Sequence, residues 1–422
     1  MKSKVFRWSV ILILVAGVLG APVWWWWRPQ TITLSSGARL TLIGVTYGQH
    51  HVSPVAKSPT MPHRLTSILQ GTNDFLIVWI RQRHKPQQLP AYQLFAYDAD
   101  GTACVGSSGT TGVLDPRRGD EVVGIRFDAF PRRQRKFNLR IQEWNPQQGQ
   151  IILTNAFVIS NPARGPFPTW YPDSLPDTQS DGDLDVTLTK LTFGAKYFFP
   201  RNGLAPDDPL NKCVIAGLDV EQNGHAAASW RPVRVVTYDG TGNHVAADVT
   251  SLGQDEGQVV VYQFGLWSNE PAWKVCFEFS HQSDFGEDEL WTATAVPIEP
   301  GPMQDFFKYG RNRAARVFAE TTMNGMHLKI YPAVQFQGQA RWNSQLAGGF
   351  EIMADRPPAG VRLTLVKVTD DQGREIPTQS WNQGGNNYRF NLNNLGDAKT
   401  LNITLAVPKS RFVTFTAQPV HQ

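Results

Sequence analysis

Four strand signals recur three times along this chain, in the same order. An alternating strand opens each block: ARLTLIGVTYG from Ala38, DVTLTKLTFG from Asp185 and MHLKIYPAVQF from Met326. A mid-block strand follows and ends in an acidic-glycine turn: YQLFAYDADGT, VRVVTYDGTGN and LTLVKVTDDQG, with Asp98, Asp239 and Asp370 at equivalent points. Asp and Gly there suit a turn that needs positive φ. Two strands around a short irregular link come next: VVGIRFDAFPRRQRKFNLRI, VVVYQFGLWSNEPAWKVCFEF and NYRFNLNNLGDAKTLNITL. A last strand then runs into a connector, as in NAFVISNP and TATAVPIEP. Alternation at period two is the signature of half-buried strands. Self-similarity at so long a spacing indicates tandem copies of a whole domain rather than solenoid turns.

Two proline-rich stretches, NPARGPFPTWYPDSLP and PIEPGPMQD, separate the blocks and read as extended, stiff connectors. The expected fold is all-β: three tandem immunoglobulin- or fibronectin-like β-sandwich domains after one N-terminal transmembrane helix. The expected boundaries are a signal-anchor at 1–29, sandwiches at 30–160, 183–298 and 315–422, and linkers at 161–182 and 299–314.

Trp8 to Trp27 is a run of twenty residues without a formal charge, enough at helical rise to span ~30 Å of hydrocarbon. Lys2, Lys4 and Arg7 precede it, and no acidic residue occurs before Asp74. Positive charge on the short flank keeps that flank cytoplasmic and sends the bulk of the chain out. Trp24 to Trp27, followed by Arg28 and Pro29, form a collar suited to the headgroup level. The expected location is a single-pass membrane anchor with an extracytoplasmic body. The alternative is secretion after cleavage near Gly20 or Ala21, although an apolar core this long is unusual for a cleaved signal.

Removing Lys2, Lys4 and Arg7 from the 40 basic residues leaves 37 against 36 acidic ones for residues 28–422. A nearly neutral body lacks the basic footprint that a nucleic-acid binder needs. Of the three cysteines, Cys213 and Cys276 invite an immunoglobulin-like bridge. Strand parity opposes it, because in KVCFEF the inward set is Val275, Phe277 and Phe279, which leaves Cys276 outside.

No nucleophile elbow, H-E-x-x-H, C-x-x-C or phosphate loop is present, and no catalytic or cofactor-binding residue is assigned. His50 and His51 point to opposite faces of a strand and do not share a metal. SDGDLD places Asp181, Asp183 and Asp185 in alternation, a candidate Ca²⁺ set of hard oxygen ligands weighed against a solvated linker. PRRQRKF carries Arg132, Arg133, Arg135 and Lys136 on one turn, a candidate surface for anionic lipid or envelope polymer weighed against a solvated hairpin end. Trp170, Trp267 and Trp381 lie beside turns or in linkers, where indoles either stack on sugars or cover joints.

LTLIGVTYGQHH, Leu40 to His51, resembles the opening of uncharacterised bacterial exported proteins with one N-terminal membrane segment. The resemblance implies location and fold and carries no activity. The expected role is a non-enzymatic adhesion or scaffolding ectodomain of the cell envelope. The alternatives are a carbohydrate- or envelope-polymer-binding module and, behind it, a hydrolase with paired carboxylates. The expected partners are the membrane and polysaccharide or envelope proteins.

Overall fold

Alternation builds this molecule strand by strand. The computed structural model of the chain describes residues 30–53, 68–85, 92–98, 103–115, 120–145, 150–196, 212–249, 258–261, 266, 270–304, 306, 316–337, 346–355, 358–382 and 386–421. The expected anchor at 1–29 lies outside them. Among the described residues no helix is long and apolar enough to cross a membrane.

In the first block β1 (Thr31–Thr33), β2 (Arg39–Val52), β3 (Ile68–Arg83), β4 (Tyr92–Tyr97), β5 (Ala103–Val105), β6 (Ser107–Asp115), β7 (Asp120–Phe127), β8 (Lys136–Asn145) and β9 (Gln150–Ser160) build two sheets. Their orders are β1-β2-β3-β7-β6 and β5-β4-β8-β9. Leu76, Val78 and Ile80 of β3 and Phe137, Leu139 and Ile141 of β8 alternate inward and are buried together.

The second block contains β10 (Asp177–Asp181), β11 (Leu184–Lys196), β12 (Lys212–Gln222), β13 (His225–Ala226), β14 (Trp230–Asp239), β15 (His244–Asp248), β16 (Gln258–Val261) and β17 (Trp273–His281). One sheet runs β10-β11-β12-β13, with β16 beside β12, and the other runs β15-β14-β17. Residues 177–181, read from sequence as linker, are strand β10, paired antiparallel with β11. Cys276 is half-buried and carries no disulfide.

The remainder holds β18 (Leu290–Gly301), β19 (Ala319–Met323), β20 (Met326–Ile330), β21 (Ala333–Phe336), β22 (Leu346–Asp355), β23 (Thr364–Asp370), β24 (Thr378–Asn382), β25 (Asn387–Asn393), β26 (Thr400–Ala406), β27 (Arg411–Ala417) and β28 (Val420–His421). Here the structure departs from the expected boundaries 183–298 and 315–422. β18, which follows β17 in the chain, pairs antiparallel with β26, from Leu290↔Ala406 to Pro297↔Thr400. β27, which follows β26, returns to pair with β17, from Trp273↔Ala417 to Phe279↔Arg411. β28 adds in parallel to β11, so residues 411–421 extend both sheets of the second unit. The third unit is therefore the continuous stretch 290–406, inserted between β17 and β27.

Side-chain size gives the physical reason for this crossing. β27 turns Val413, Phe415 and Ala417 into the core that holds Trp273, Val275 and Phe277. β18 offers small groups instead, with Ala293 and Val296 buried in the separate core of the third unit. Seating β18 beside β17 would place an alanine where a phenylalanine is needed, a deficit of several methylenes in a close-packed interior. β18 also continues past its β26 partner to pair in parallel with β21, Ile298↔Ala333 through Gly301↔Phe336. Residues 299–301, expected as linker, are thus strand.

Candidate functional site

The groups that chemistry could use lie at the joints between units, and the recurrent acidic turn builds the first of them. Asp239 ends β14 with 1% of its surface exposed. Its Oδ1 accepts N–H bonds from Thr241 (2.8 Å) and Asn243 (3.1 Å), and its own N–H donates to the Asn243 carbonyl at 3.1 Å. The Asp370 turn repeats the pattern: Oδ1 accepts from Gln372 (2.9 Å) and Arg374 (2.8 Å), and the N–H donates to the Arg374 carbonyl at 2.9 Å. The third residue after each Asp is glycine with positive φ, +88° at Gly242 and +80° at Gly373, which an L side chain adopts only with strain. Asp98 directly follows β4, and the residues after it in the turn, 99–102, lie outside the described residues.

In the second unit this turn is a socket for the first. Asn243 accepts the Phe130 N–H at 3.1 Å and donates Nδ2–H to the Phe130 carbonyl at 3.0 Å. Arg132, 4% exposed, reaches across to donate to the Thr241 carbonyl (3.1 Å), while holding the Tyr47 hydroxyl (3.1 Å) and the Asp74 carbonyl (2.9 Å) in its own unit. A Cβ on Gly242 would lie 3.0 Å from this guanidinium. Arg133 forms a two-pronged pair with Glu270, at 2.6 and 3.0 Å, and donates to the Pro168 carbonyl at 3.0 Å. Burial pushes the pKa of Arg132 below its ordinary value, yet an arginine keeps its charge. Burial likewise raises the carboxyl of Asp239, against the pull of the bonds from Thr241 and Asn243. Around these polar contacts one contiguous apolar cluster runs from Leu34 in the first unit to Ala417 in the second.

The four basic residues expected to face an anionic surface are therefore divided. Arg132 and Arg133 are taken up by the joint, because the turn that carries them abuts the second unit. Arg135 and Lys136 are exposed.

The acidic alternation is also engaged by protein. Arg411, at the start of β27, lies 3.9 Å from Asp181 and 3.4 Å from Asp183, and Asp181 accepts the Phe412 N–H at 2.7 Å. Asp183 further accepts from Gln222 at 2.7 Å. That bond, with Arg411 behind it, holds its carboxyl below the usual range. Asp185 accepts from Ser180 at 2.5 Å. A guanidinium supplies positive charge beside two of the three carboxylates that formed the candidate Ca²⁺ set. Among the described residues no three His, Cys, Asp or Glu side chains are grouped to hold a metal ion.

A second clasp secures the crossing. Glu278 of β17, 6% exposed, accepts from Arg362 of the third unit (2.6 Å) and from Ser410 (2.7 Å) in the segment before β27. Burial alone would raise the Glu278 carboxyl, but the bonds and charge of Arg362 and the Ser410 hydroxyl together bring it below the ordinary value. A carboxylate whose folded pKa is depressed adds stability above its unfolded pKa and loses it as pH falls through the lower folded value. We expect Glu278→Gln to lack this contribution at every pH, so that acid unfolding of the second unit, followed by tryptophan fluorescence, begins at higher pH in the variant than in the wild type, and the two stabilities converge as pH falls through the folded pKa of Glu278. An unchanged profile would refute the clasp.

An open depression of about 450 Å³ lies beside the other crossing, lined by Gln222, His225, Ala226, Ser229, Ser283 and Asp284 among others. His281, at the end of β17, stacks on Trp230 with ring centroids 4.9 Å apart and sits 3.0 Å from Glu289. His50 is exposed and His51 buried, on opposite faces as expected. His51 donates Nε2–H to the Gly48 carbonyl (2.8 Å) and accepts the Thr46 hydroxyl at Nδ1 (2.7 Å), and Thr46 in turn accepts from the Trp79 indole (2.9 Å). One tautomer satisfies the whole chain, which marks His51 as a structural group. Trp170 is half-buried with the Lys274 ammonium 4.7 Å above its ring. Trp267 lies outside the described residues, and for Trp381 only the strand position in β24 is described.

No protein-family model matches the chain, and no curated protein does. Among solved structures, a conserved domain protein from Bacillus anthracis aligns over 63% of this chain and 81% of its own, at 13% identity and a TM-score of 0.22.

Proposed function

We propose that the chain is a membrane-anchored, extracytoplasmic scaffold of the cell envelope, without enzymatic activity, built from three immunoglobulin- or fibronectin-like sandwiches. The observation that carries this reading is the first joint. The Arg132 guanidinium and the Asn243 amide are buried against backbone groups across the joint, the more exposed Arg133 pairs with Glu270 beside them, and together they serve to hold two domains in one orientation. Charge-assisted bonds in such sites are worth ~1.5–3 kcal/mol each. The likeness of the three units is supported by pairing order. β2-β3-β7, β11-β12-β16 and β20-β22-β25 correspond, as do β4-β8-β9, β14-β17-β27 and β23-β26-β18. In the first two units the two sets lie in separate sheets, in keeping with an arrangement of strands A, B and E in one sheet and C, F and G in the other, whereas in the third β18 joins them into one nine-stranded sheet. The location rests on the charge-free run Trp8–Trp27 and its basic flank, and the resemblance to exported proteins is in keeping with it.

Fractionation of a bacterial host is expected to leave the full chain in the carbonate-washed membrane pellet, with its body cleaved by protease added to spheroplasts. A soluble form beginning at Ala21 or later would overturn the anchor. Small-angle scattering from residues 30–422 is expected to fit one rigid particle at low and high salt, whereas a profile of independently moving domains would overturn the scaffold.

A second reading, a polysaccharide-binding module, has one observation in its favour. Tyr171 is 81% exposed, next in sequence to Trp170. Retention on envelope polysaccharide that is lost in Tyr171→Ala would support it.

A further inference from the structure

We infer that residues 411–421 are a donor segment that a second copy of this chain can receive, completing the second unit in trans. Without β27, the edge of β17 is an unpaired row of backbone groups above Val275 and Phe277, which are 2% and 0% exposed in the closed unit. Such an edge is a template for any strand that fits. The strand that fits carries its own address. Arg411 meets Asp181 and Asp183, the Phe412 N–H meets Asp181, Val413 and Phe415 fill the core, and β28 continues onto β11.

Synthesis order leaves this edge waiting. Residues 282–410 separate β17 from its partner, and at ~5–20 residues per second their synthesis takes on the order of ten seconds. The nearest strand, β18, presents Ala293 where the core needs a phenylalanine, and it pairs with β26 once that strand is made. A finished donor from a neighbouring copy makes the same contacts as the chain's own. The connection between β26 and β27 is only residues 407–410, and short connections favour exchange between copies. Two chains that trade segments reciprocally form a closed pair. Once a chain is complete its own segment wins, because a short tether gives it a millimolar effective concentration. Trans pairing therefore arises when chains fold side by side.

Cys276 of β17 and Thr414 of β27 are direct cross-strand partners, so Thr414→Cys reports which copy supplied β27. The full-length variant would be unfolded with reductant, refolded in detergent over a range of concentrations, oxidised and run on a non-reducing gel. We expect an internally linked monomer when dilute and a covalent dimer whose ratio to monomer rises about tenfold for each tenfold rise in concentration, as a bimolecular step competes with a unimolecular one. Adding Cys276→Ser should abolish the dimer. Absence of dimer at every concentration, or dimer that survives Cys276→Ser, overturns the inference. Wild-type chains with two different tags provide a second measurement that needs no substitution. Mixed pairs are expected after co-refolding and not after mixing folded chains, and equal recovery by both routes would also overturn it.

Discussion

A chain ending at Ser410 is expected to lose the second unit and keep the third. Simple tandem order would predict the reverse, since the deleted residues directly follow β26. The core of the third unit extends from Ala293 to Val407 and includes nothing beyond it. The core shared by the first and second units takes Val413, Phe415 and Ala417 at 2%, 1% and 0% exposure. A buried Val or Phe side chain is worth ~1.5–3 kcal/mol in transfer alone. Deletion also strips the pairing partner from Trp273 to Phe279. Together these losses are of the order of a whole domain's stability, ~5–15 kcal/mol. Phe415→Ala should give the same pattern in milder form, at ~3–5 kcal/mol. Hydrogen exchange read by mass spectrometry is the check. Protection should collapse over 177–281 and persist over 290–406, and collapse over 290–406 instead would sink the topology.

The next largest effect is expected at Asn243. Its amide bonds both backbone groups of Phe130 and also lies 2.9 Å from Asp239 Oδ2 and 3.0 Å from Thr241 Oγ1. Asn243→Ala leaves a buried N–H and a buried C=O of Phe130 without those partners. Unmade buried bonds cost ~1–3 kcal/mol each, so a loss of roughly 2–4 kcal/mol is expected. Because the apolar cluster is continuous across the joint, the first two units of the wild type should melt together. The variant should show two calorimetric transitions. A single transition with an unchanged midpoint would show that the socket adds nothing. The effect should also be non-additive with Arg132→Met, since both side chains engage the 239–243 turn.

Much of the architecture was legible in the chain. Period-two alternation located β2, β11, β14, β17, β26 and others, because a strand with one wet face must place its apolar residues on the opposite one. The D-x-x-G pattern identified the turns at Asp239 and Asp370, because carboxylate capping and positive φ are local requirements. Parity alone left Cys276 outside the core. Functional residues were read less well. PRRQRKF looked like a solvated charge cluster, and the nature of a turn's surroundings is not written in the turn. The partners of Arg132 and Arg133, Thr241 and Glu270, lie more than a hundred residues away. The socket had one local trace, the first glycine of DGTGN. Gly240 lacks a side chain where a Cβ would come within 2.5 Å of the Pro168 carbonyl.

Sequence by itself determined the all-β class, many of the strands with their inward faces, and the turns, all of which depend on interactions between near neighbours. Tertiary structure alone decided which strand closes which unit. β18 and β27 both alternate, and both follow the strand they would pair with in a simple hairpin. The choice between them rests on volume: Phe415 fills the space beside Val275, Ala293 suits the space beside Ile403, and Arg411 finds Asp181 and Asp183 only at the second unit. Packing and charge pairing across long separations depend on the assembled shape, which no local pattern records.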